Sequence, residues 1–328
     1  MLTVWLKFIF CAMVILYAGF KATTYGDKLA EKTGIGKAWV GLVLMATLTS
    51  LPELANGLSA VIIVNEPTLA VGNIFGACLF NLLTIGLIDI VQFFRRKPSI
   101  FAVIREANVL SAIVASFLLL LAALGIAYSA KGISFSIAGI GIYTILIFLI
   151  YLLTQKLVYE YEKKRKEKPA DGIRESFREL VWRFILFGII VIAAGTWLPA
   201  IGQEIVAKTS FGTSFVAMFF LGLATTLPEL VVSVTAIFLG APQMALGNLI
   251  GSNMFNVSLL FVDDLFYRNG PILEFVSTKL DFAALFAALG MGFLLIGMLT
   301  RKRWVVILIL ANVAIAFLTL FYLNVTII

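Results

Sequence analysis

Ten runs of this sequence are apolar for long enough to cross a lipid bilayer, and that limits the chain more than any other feature. They are Trp5–Phe20, Lys37–Val64, Pro67–Phe94, Ala107–Tyr128, Phe135–Val158, Leu180–Pro199, Phe211–Leu239, Pro242–Phe266, Phe282–Leu299 and Trp304–Tyr322. A helix needs about 20 residues, at about 1.5 Å each, to span the hydrocarbon core. Of 328 residues, 61% are hydrophobic and only 13% charged, against roughly 25% charged in a soluble domain. A water-soluble enzyme is thereby excluded, and the sequence predicts an all-α polytopic membrane protein of ten transmembrane helices. Trp5–Phe20 runs on without a small-residue cleavage site, so it reads as a retained helix rather than a signal peptide. The chain has no histidine, and Cys11 and Cys78 both lie inside apolar runs. The usual zinc, haem and histidine-base sites thus lack their commonest group, and no disulfide framework or metal cluster is indicated.

Threading ten spans assigns every connection to one side, and 20 of the 25 Lys and Arg residues then fall on the same side. The positive-inside rule places that side in the cytoplasm and both termini outside, in a cell membrane. Residues 159–179 form the only long polar stretch. They hold the basic run Lys163–Lys168, with Pro169 and Gly172, and read as a cytoplasmic linker resting on anionic lipid. The chain therefore divides into residues 1–158, the linker 159–179, and residues 180–328. No phosphate-cradling glycine loop and no nucleic-acid-binding pattern is found, and no obligate protein partner is implied.

The halves share a repeat. Thr49–Leu54 (TSLPEL) answers Thr225–Leu230 (TTLPEL) at an offset of 176, and Glu66–Asn81 answers Ala241–Asn256 at 175. The second register keeps Pro67/Pro242, Gly72/Gly247, Asn73/Asn248, Gly76/Gly251 and Asn81/Asn256, and continues to Asp89/Asp264. Five spans precede the linker, so the second copy enters the membrane from the opposite side. Such inverted five-helix repeats, with broken helices at the centre, let a transporter open alternately to its two faces.

The polar residues inside the runs mark the candidate site. A carboxylate at bilayer depth costs at least about 2.5–3.5 kcal/mol, and Glu53 and Glu229 occupy matched positions in the two copies. Each follows a proline, Pro52 or Pro228, which removes a backbone donor and leaves a carbonyl about a turn earlier unpaired. Before them stand Thr49 and Ser50, or Thr225 and Thr226, with Ala46 or Gly222 another turn back. Hydroxyls, carbonyls and carboxylates are hard oxygen donors suited to calcium and sodium. Asn81 and Asn256 are candidate ligands, while Asn73 and Asn248 serve equally well as braces for the broken helices. Asp89 and Asp263/Asp264 are expected near span ends, either as solvated rim groups or as a cation-attracting vestibule.

With these residues in view, the chain resembles the calcium/cation antiporter superfamily, its sodium/calcium exchanger branch in particular. The family pattern is a T-S-L-P-E stretch followed by G-N-x-x-G-S-N-x-x-N, present twice. The resemblance implies a secondary antiporter that exports calcium in exchange for sodium and carries both as cargo, with no bound cofactor. It implies a calcium site at Glu53 and Glu229, lined by the hydroxyls of Thr49, Ser50, Thr225 and Thr226 and the carbonyls of Ala46 and Gly222. Flanking sodium sites are implied, with Ser252 supplying a hydroxyl on one side. The first repeat departs from the pattern, having Ala77 and Cys78 where the second has Ser252 and Asn253. The last position of the second repeat, Asp in some sodium exchangers of the family, is Asn256. Calcium/proton exchange on the same glutamates, a cation channel and a non-transporting membrane protein are the alternatives.

Overall fold

The computed structural model describes residues 2–33, 46–102, 106–163, 175–238, 240 and 242–325. The described chain is helical apart from one small hairpin. In chain order the helices are α1 (Leu2–Thr33), α2 (Ala46–Thr49), α3 (Leu51–Val64), α4 (Pro67–Phe94), α5 (Glu106–Ser129) and α6 (Ile142–Lys163). They continue as α7 (Phe177–Lys208), α8 (Thr213–Thr225), α9 (Leu227–Phe238), α10 (Pro242–Phe266), α11 (Lys279–Thr300) and α12 (Val305–Val325). Among the described residues eight helices are long and apolar enough to cross a membrane, and α8 with α9, bent by 44°, makes a ninth. The remaining expected span, Lys37–Val64, is described only from Ala46 on, as α2 and α3. The basic run Lys163–Lys168 lies outside the described residues after Lys163.

Helix ends follow local chemistry. Pro67 opens α4 at a position whose N–H would be unpaired in any case, and Glu66 Oε1 accepts from the Thr68 amide at 3.3 Å. The helix before it stops at Asn65, left-handed at φ 55°. Ser176 caps α7 by accepting from the Glu179 amide at 3.1 Å. Both α3 and α8 contain a π turn, Ala60–Val64 and Val216–Leu221, the wide turn that tends to mark functional stretches of a helix.

One sequence expectation is corrected here. The run Phe135–Val158 does not begin as a helix: Ser136–Ile137 pairs antiparallel with Ile140–Gly141, and α6 starts at Ile142. Ala138 and Gly139 turn this hairpin with φ of 53° and 85°, the left-handed pair that a two-residue hairpin loop demands.

Packing separates a centre from a rim. Within their most apolar stretches, 78% of α4 and 83% of α10 is buried, against 33% for α1 and 28% for α6. Phe75, Leu79 and Leu82 of α4 join Leu249 and Ile250 of α10 in the core. The rim helices turn side chains such as Phe10, Leu153, Trp182 and Ile307 outward, as lipid contact requires. Helices also pair with their sequence counterparts: α1 lies along α7, α4 against α10 and α5 against α11. Along the first pair, Lys7 Nζ meets Glu204 Oε1 at 2.7 Å and Cys11 Sγ donates to the Ala194 carbonyl at 3.1 Å. Near its other end Lys28 donates to Glu175, which holds that carboxyl below the usual range.

Asp89 and Asp264 are neither rim groups nor vestibule. Asp89 accepts from Ser99 Oγ at 2.7 Å, the Ile100 amide at 2.9 Å and Arg303 Nε at 2.9 Å. Asp264 accepts from the Gly141 amide at 2.8 Å, the Ile272 amide at 2.7 Å and the Thr144 hydroxyl. Each ties its helix end to the short 3-10 turn that follows, Ile100–Ala102 or Ile272–Glu274. A carboxylate accepting backbone amides in this way is a charge-assisted structural clasp.

Candidate functional site

The two breaks lie at matched positions. Ser50 separates α2 from α3 with φ −90° and ψ 11°, and Thr226 separates α8 from α9 with φ −85° and ψ 2°. Both residues occupy the sparsely populated bridge region. The cause is one turn away: Pro52 and Pro228 have no N–H, so the carbonyls of Leu48 and Ala224 lose their helical donor. The carbonyls of Ala46 and Gly222 are occupied, accepting from the amides of Ser50 and Thr226 at 3.2 Å each. The freed carbonyls are therefore two residues later in each half than the pair the family resemblance implies. A carbonyl keeps a second lone pair, so Ala46 and Gly222 remain able to ligate.

Glu53 and Glu229 are fully buried, with 0% exposure. Ser50 Oγ donates to Glu229 Oε1 at 3.0 Å, across the two halves. The other oxygen of Glu229 and both oxygens of Glu53 have no hydrogen-bond partner among the described residues. Thr225 and Glu229 lie in the electrostatic reach of Glu53, and Thr49 and Ser252 flank Glu229. Neither glutamate forms an ion pair with a basic residue among the described residues. Two carboxylates sharing a dry site repel each other unless a cation or protons neutralise them.

Asparagines brace the breaks reciprocally. Thr225 Oγ donates to Asn73 Oδ1 at 3.1 Å, and Thr49 Oγ donates to Asn248 Oδ1 at 3.5 Å. Each threonine thus reaches the asparagine of the opposite copy. The Asn248 amide goes on to donate to Ser233 Oγ at 3.3 Å. The residue matching Ser233 in the first copy is Gly57, and Asn73 Nδ2 has no partner.

The departures at Ala77 and Cys78 leave a visible asymmetry. Ser252 Oγ lies 3.4 Å from Thr49 Oγ, whereas its counterpart Ala77 offers Thr225 only a methyl group. Asn81 Nδ2 donates to Asn253 Oδ1 at 2.9 Å, and Asn253 Nδ2 to the Cys78 carbonyl at 3.4 Å. The counterpart of Asn253 is Cys78, which has no amide to return, and Asn256 is left with both amide atoms buried and unpartnered. Asn253 was not among the residues singled out from sequence, although its place in the second G-S-N triplet was the available signal. Thr226 also differs from Ser50: its hydroxyl donates to the Gly222 carbonyl of its own helix at 2.5 Å.

Close approach of the two copies depends on glycine. A Cβ on Gly76 would fall on the Met218 carbonyl and 2.7 Å from Met218 Cα. A Cβ on Gly222 would fall 2.9 Å from the Gly76 carbonyl carbon. Here α4 crosses α8 backbone to backbone, and only hydrogen fits between.

The arrangement as a whole is a buried cluster of two carboxylates, hydroxyls and amides at the meeting of two broken helices. No group of three or more Cys, Asp or Glu side chains that could hold a metal gathers among the described residues. The donors on hand are those a transported cation would use in passing, few in charge and rich in neutral oxygen.

Known proteins resemble this chain along most of its length. The profile of the family described as sodium/calcium exchanger protein matches residues 3–157 and 179–327. An uncharacterized membrane protein of Methanocaldococcus jannaschii is 27% identical over 271 residues, covering 81% of this chain and 83% of the relative. The inner membrane protein YrbG of Escherichia coli is 24% identical, covering 76% of this chain and 75% of the relative. Among solved structures, the sodium-calcium exchanger NCX_Mj, soaked with 100 mM Na+ and 10 mM Sr2+, superposes with a TM-score of 0.66 at 20% identity. That superposition covers 97% of this chain and 99% of the other.

Proposed function

The chain belongs to the sodium/calcium exchanger protein family, and from that premise we propose that it is a secondary antiporter moving calcium out of the cell against sodium. The observation that carries the reading is the pair Glu53 and Glu229: one carboxylate from each broken helix, both fully buried, three of their four oxygens without a partner. Burying such groups is favourable only with a counter-charge to share. One calcium ion supplies two positive charges for two carboxylates. Sodium ions at the same oxygens and at neighbouring hydroxyls supply the charge in turn, so filling with one species excludes the other.

Alternation between faces follows from the repeat. We read the two copies as inverted and the chain as ten spans, because counterpart helices pack on each other and the Thr49–Asn248 and Thr225–Asn73 contacts are reciprocal. In that arrangement an outward shape and an inward shape exchange the roles of the two copies around a fixed site. The ion gradients supply the free energy, and the protein supplies only the rule that it changes shape when the site is properly filled. Ser252 and Thr49 form the hydroxyl pair beside Glu229; Thr225 beside Glu53 has Ala77 opposite. Sodium binding is accordingly stronger on the Glu229 side.

Calcium flux into proteoliposomes tests the reading. Flux driven by an imposed sodium gradient, and absent with a pH gradient alone, is the expected result. Flux that follows the pH gradient instead assigns the same two glutamates to proton exchange. Flux with no counter-ion gradient would replace the antiporter by a channel.

A further inference from the structure

One carboxylate inside the protein is used neither by the site nor by the clasps. Asp263 lies on α10 beside the clasp residue Asp264, is fully buried, and neither of its oxygens has a hydrogen-bond partner among the described residues. It aims at α3: a Cβ built on Gly57 would overlap both of its oxygens. Before Gly57 in the chain stands Asn56, also 0% exposed, with both amide atoms unpartnered among the described residues. Asp263 forms no ion pair among the described residues, and its adjacent charge, Asp264, is of the same sign.

The repeat has no such polar pair at the symmetry-related place. At the offset of 175 Asp263 corresponds to Ile88, and at 176 Asn56 corresponds to Val232. Each place takes one residue from either copy: Asp263 of the second with Asn56 of the first on one side, and the aliphatic Ile88 of the first with Val232 of the second at the symmetry-related place. A single buried polar replacement is expensive. Asp263 faces the backbone of α3 at Gly57, and Asn56 is the residue before that glycine on the same helix.

Position says what the place is for. Glu53 precedes Gly57 by four residues, so it lies one turn, about 5.4 Å, along α3. Val61 and Phe266 lie about a turn further the other way, on α3 and α10, and both line a pocket of about 610 Å³ with Asn65, Arg268 and Asn269. The order along the two helices is pocket, then Asp263 with Asn56, then Glu53. At the opposite end a pocket of about 330 Å³ is lined by Gln92, Arg95, Lys97 and residues of α9, with apolar Ile88 and Val232 at the matching depth.

We propose that Asp263 and Asn56 form a second cation site, for a singly charged ion such as sodium, between the pocket at the ends of α3 and α10 and the Glu53–Glu229 centre. One carboxylate balances one positive charge, and the Asn56 carbonyl oxygen completes a hard-oxygen donor pair. The site stages ions on one face only, since the symmetry-related place carries Ile88 and Val232 instead. Its role in delivery rests on the antiport reading; its ability to bind does not.

Equilibrium binding to the purified full-length protein separates the two. Glu53→Gln with Glu229→Gln disables the centre, and radioactive calcium binding should disappear. Radioactive sodium binding should persist in that protein, and be lost when Asp263→Asn is added. If Asp263→Asn does not yield a monodisperse protein, Asp263→Ile with Asn56→Val copies the apolar pair of the other half and carries the same test. Sodium binding that is absent once the centre is disabled, or unchanged by either Asp263 replacement, overturns the proposal. So does calcium retained there and lost with Asp263→Asn. A wild type without sodium-driven flux, yet with Asp263-dependent sodium binding, would sink the antiport reading and leave this site standing.

Discussion

At the scale of single residues, the candidate site holds two carboxylates with no basic partner among the described residues. Gln keeps the shape of Glu and removes only the charge, so Glu53→Gln and Glu229→Gln should each leave folding intact and weaken calcium binding about 100-fold, near 3 kcal/mol. Sodium-driven calcium flux in proteoliposomes should fall to background in both; near-normal flux in either would remove that residue from the site. A second prediction concerns the missing hydroxyl. Ala77→Ser restores what Ser252 provides in the other copy and should lower the sodium concentration that half-drives calcium efflux, while Ser252→Ala should raise it. A hydroxyl is a hard donor where a methyl is none. Vesicles of matched orientation are needed, and an unchanged sodium dependence in both variants would show that neither position meets sodium. At this scale the sequence was readable where residues repeat: Glu53 and Glu229, the prolines and the bracing asparagines all stood out as pairs. Asp263 was legible only as a span-end acid and Asn253 only as the counterpart of Cys78, because which groups they face, Gly57 and Asn81, is set by contacts between distant helices.

At the scale of elements, proline and glycine do most of the shaping. The bounds of α4 and α10 coincide with the expected runs Pro67–Phe94 and Pro242–Phe266, since a proline at the first turn is a local signal. The hairpin at Ser136–Gly141 was invisible in hydropathy because its residues are as apolar as those of a span. Its position is fixed from a distance, by Asp264 accepting from Gly141 and Thr144. The crossing of α4 and α8 gives the sharpest prediction here. Gly76→Ala drives a methyl group into the Met218 backbone, which has no rotamer to yield, and should cost about 3 kcal/mol or more. Gly292→Ala meets nothing within 4 Å and should gain up to about 1 kcal/mol from its helix. Thermal unfolding in detergent measures both; a Gly76→Ala protein as stable as wild type would mean that the two backbones are not in contact.

For the whole molecule, the placement of basic residues is the strongest statement. Tags at the N-terminus, at the C-terminus and within 163–168 should be reached by an impermeant reagent from outside, outside and inside respectively. Termini on opposite faces would end both the ten-span count and the inverted reading, since each depends on an even number of crossings. The general plan was legible because lipid punishes exposed polarity so uniformly that hydropathy alone marks the spans. How the halves lock together was not, since the α1 and α7 pairing rests on contacts 147 to 197 residues apart, such as Lys28 with Glu175 and Lys7 with Glu204.

Asn81 has Asn253, while Asn256 has only the thiol of Cys78 in the matching place. A molecule whose two openings were identical would half-saturate at the same ion concentration on either side of the membrane. This one is not, so in the proposed alternating cycle each face would acquire its own working range. Microscopic reversibility nevertheless sets a strict bound on what such lopsidedness achieves. The gradient ratio at which net movement stalls is fixed by how many ions of each kind change places per cycle, and no substitution at Cys78 or Asn256 that preserves that count can shift it. Evolution at these positions is therefore free to tune how fast the protein responds to each compartment, and barred from altering where it comes to rest.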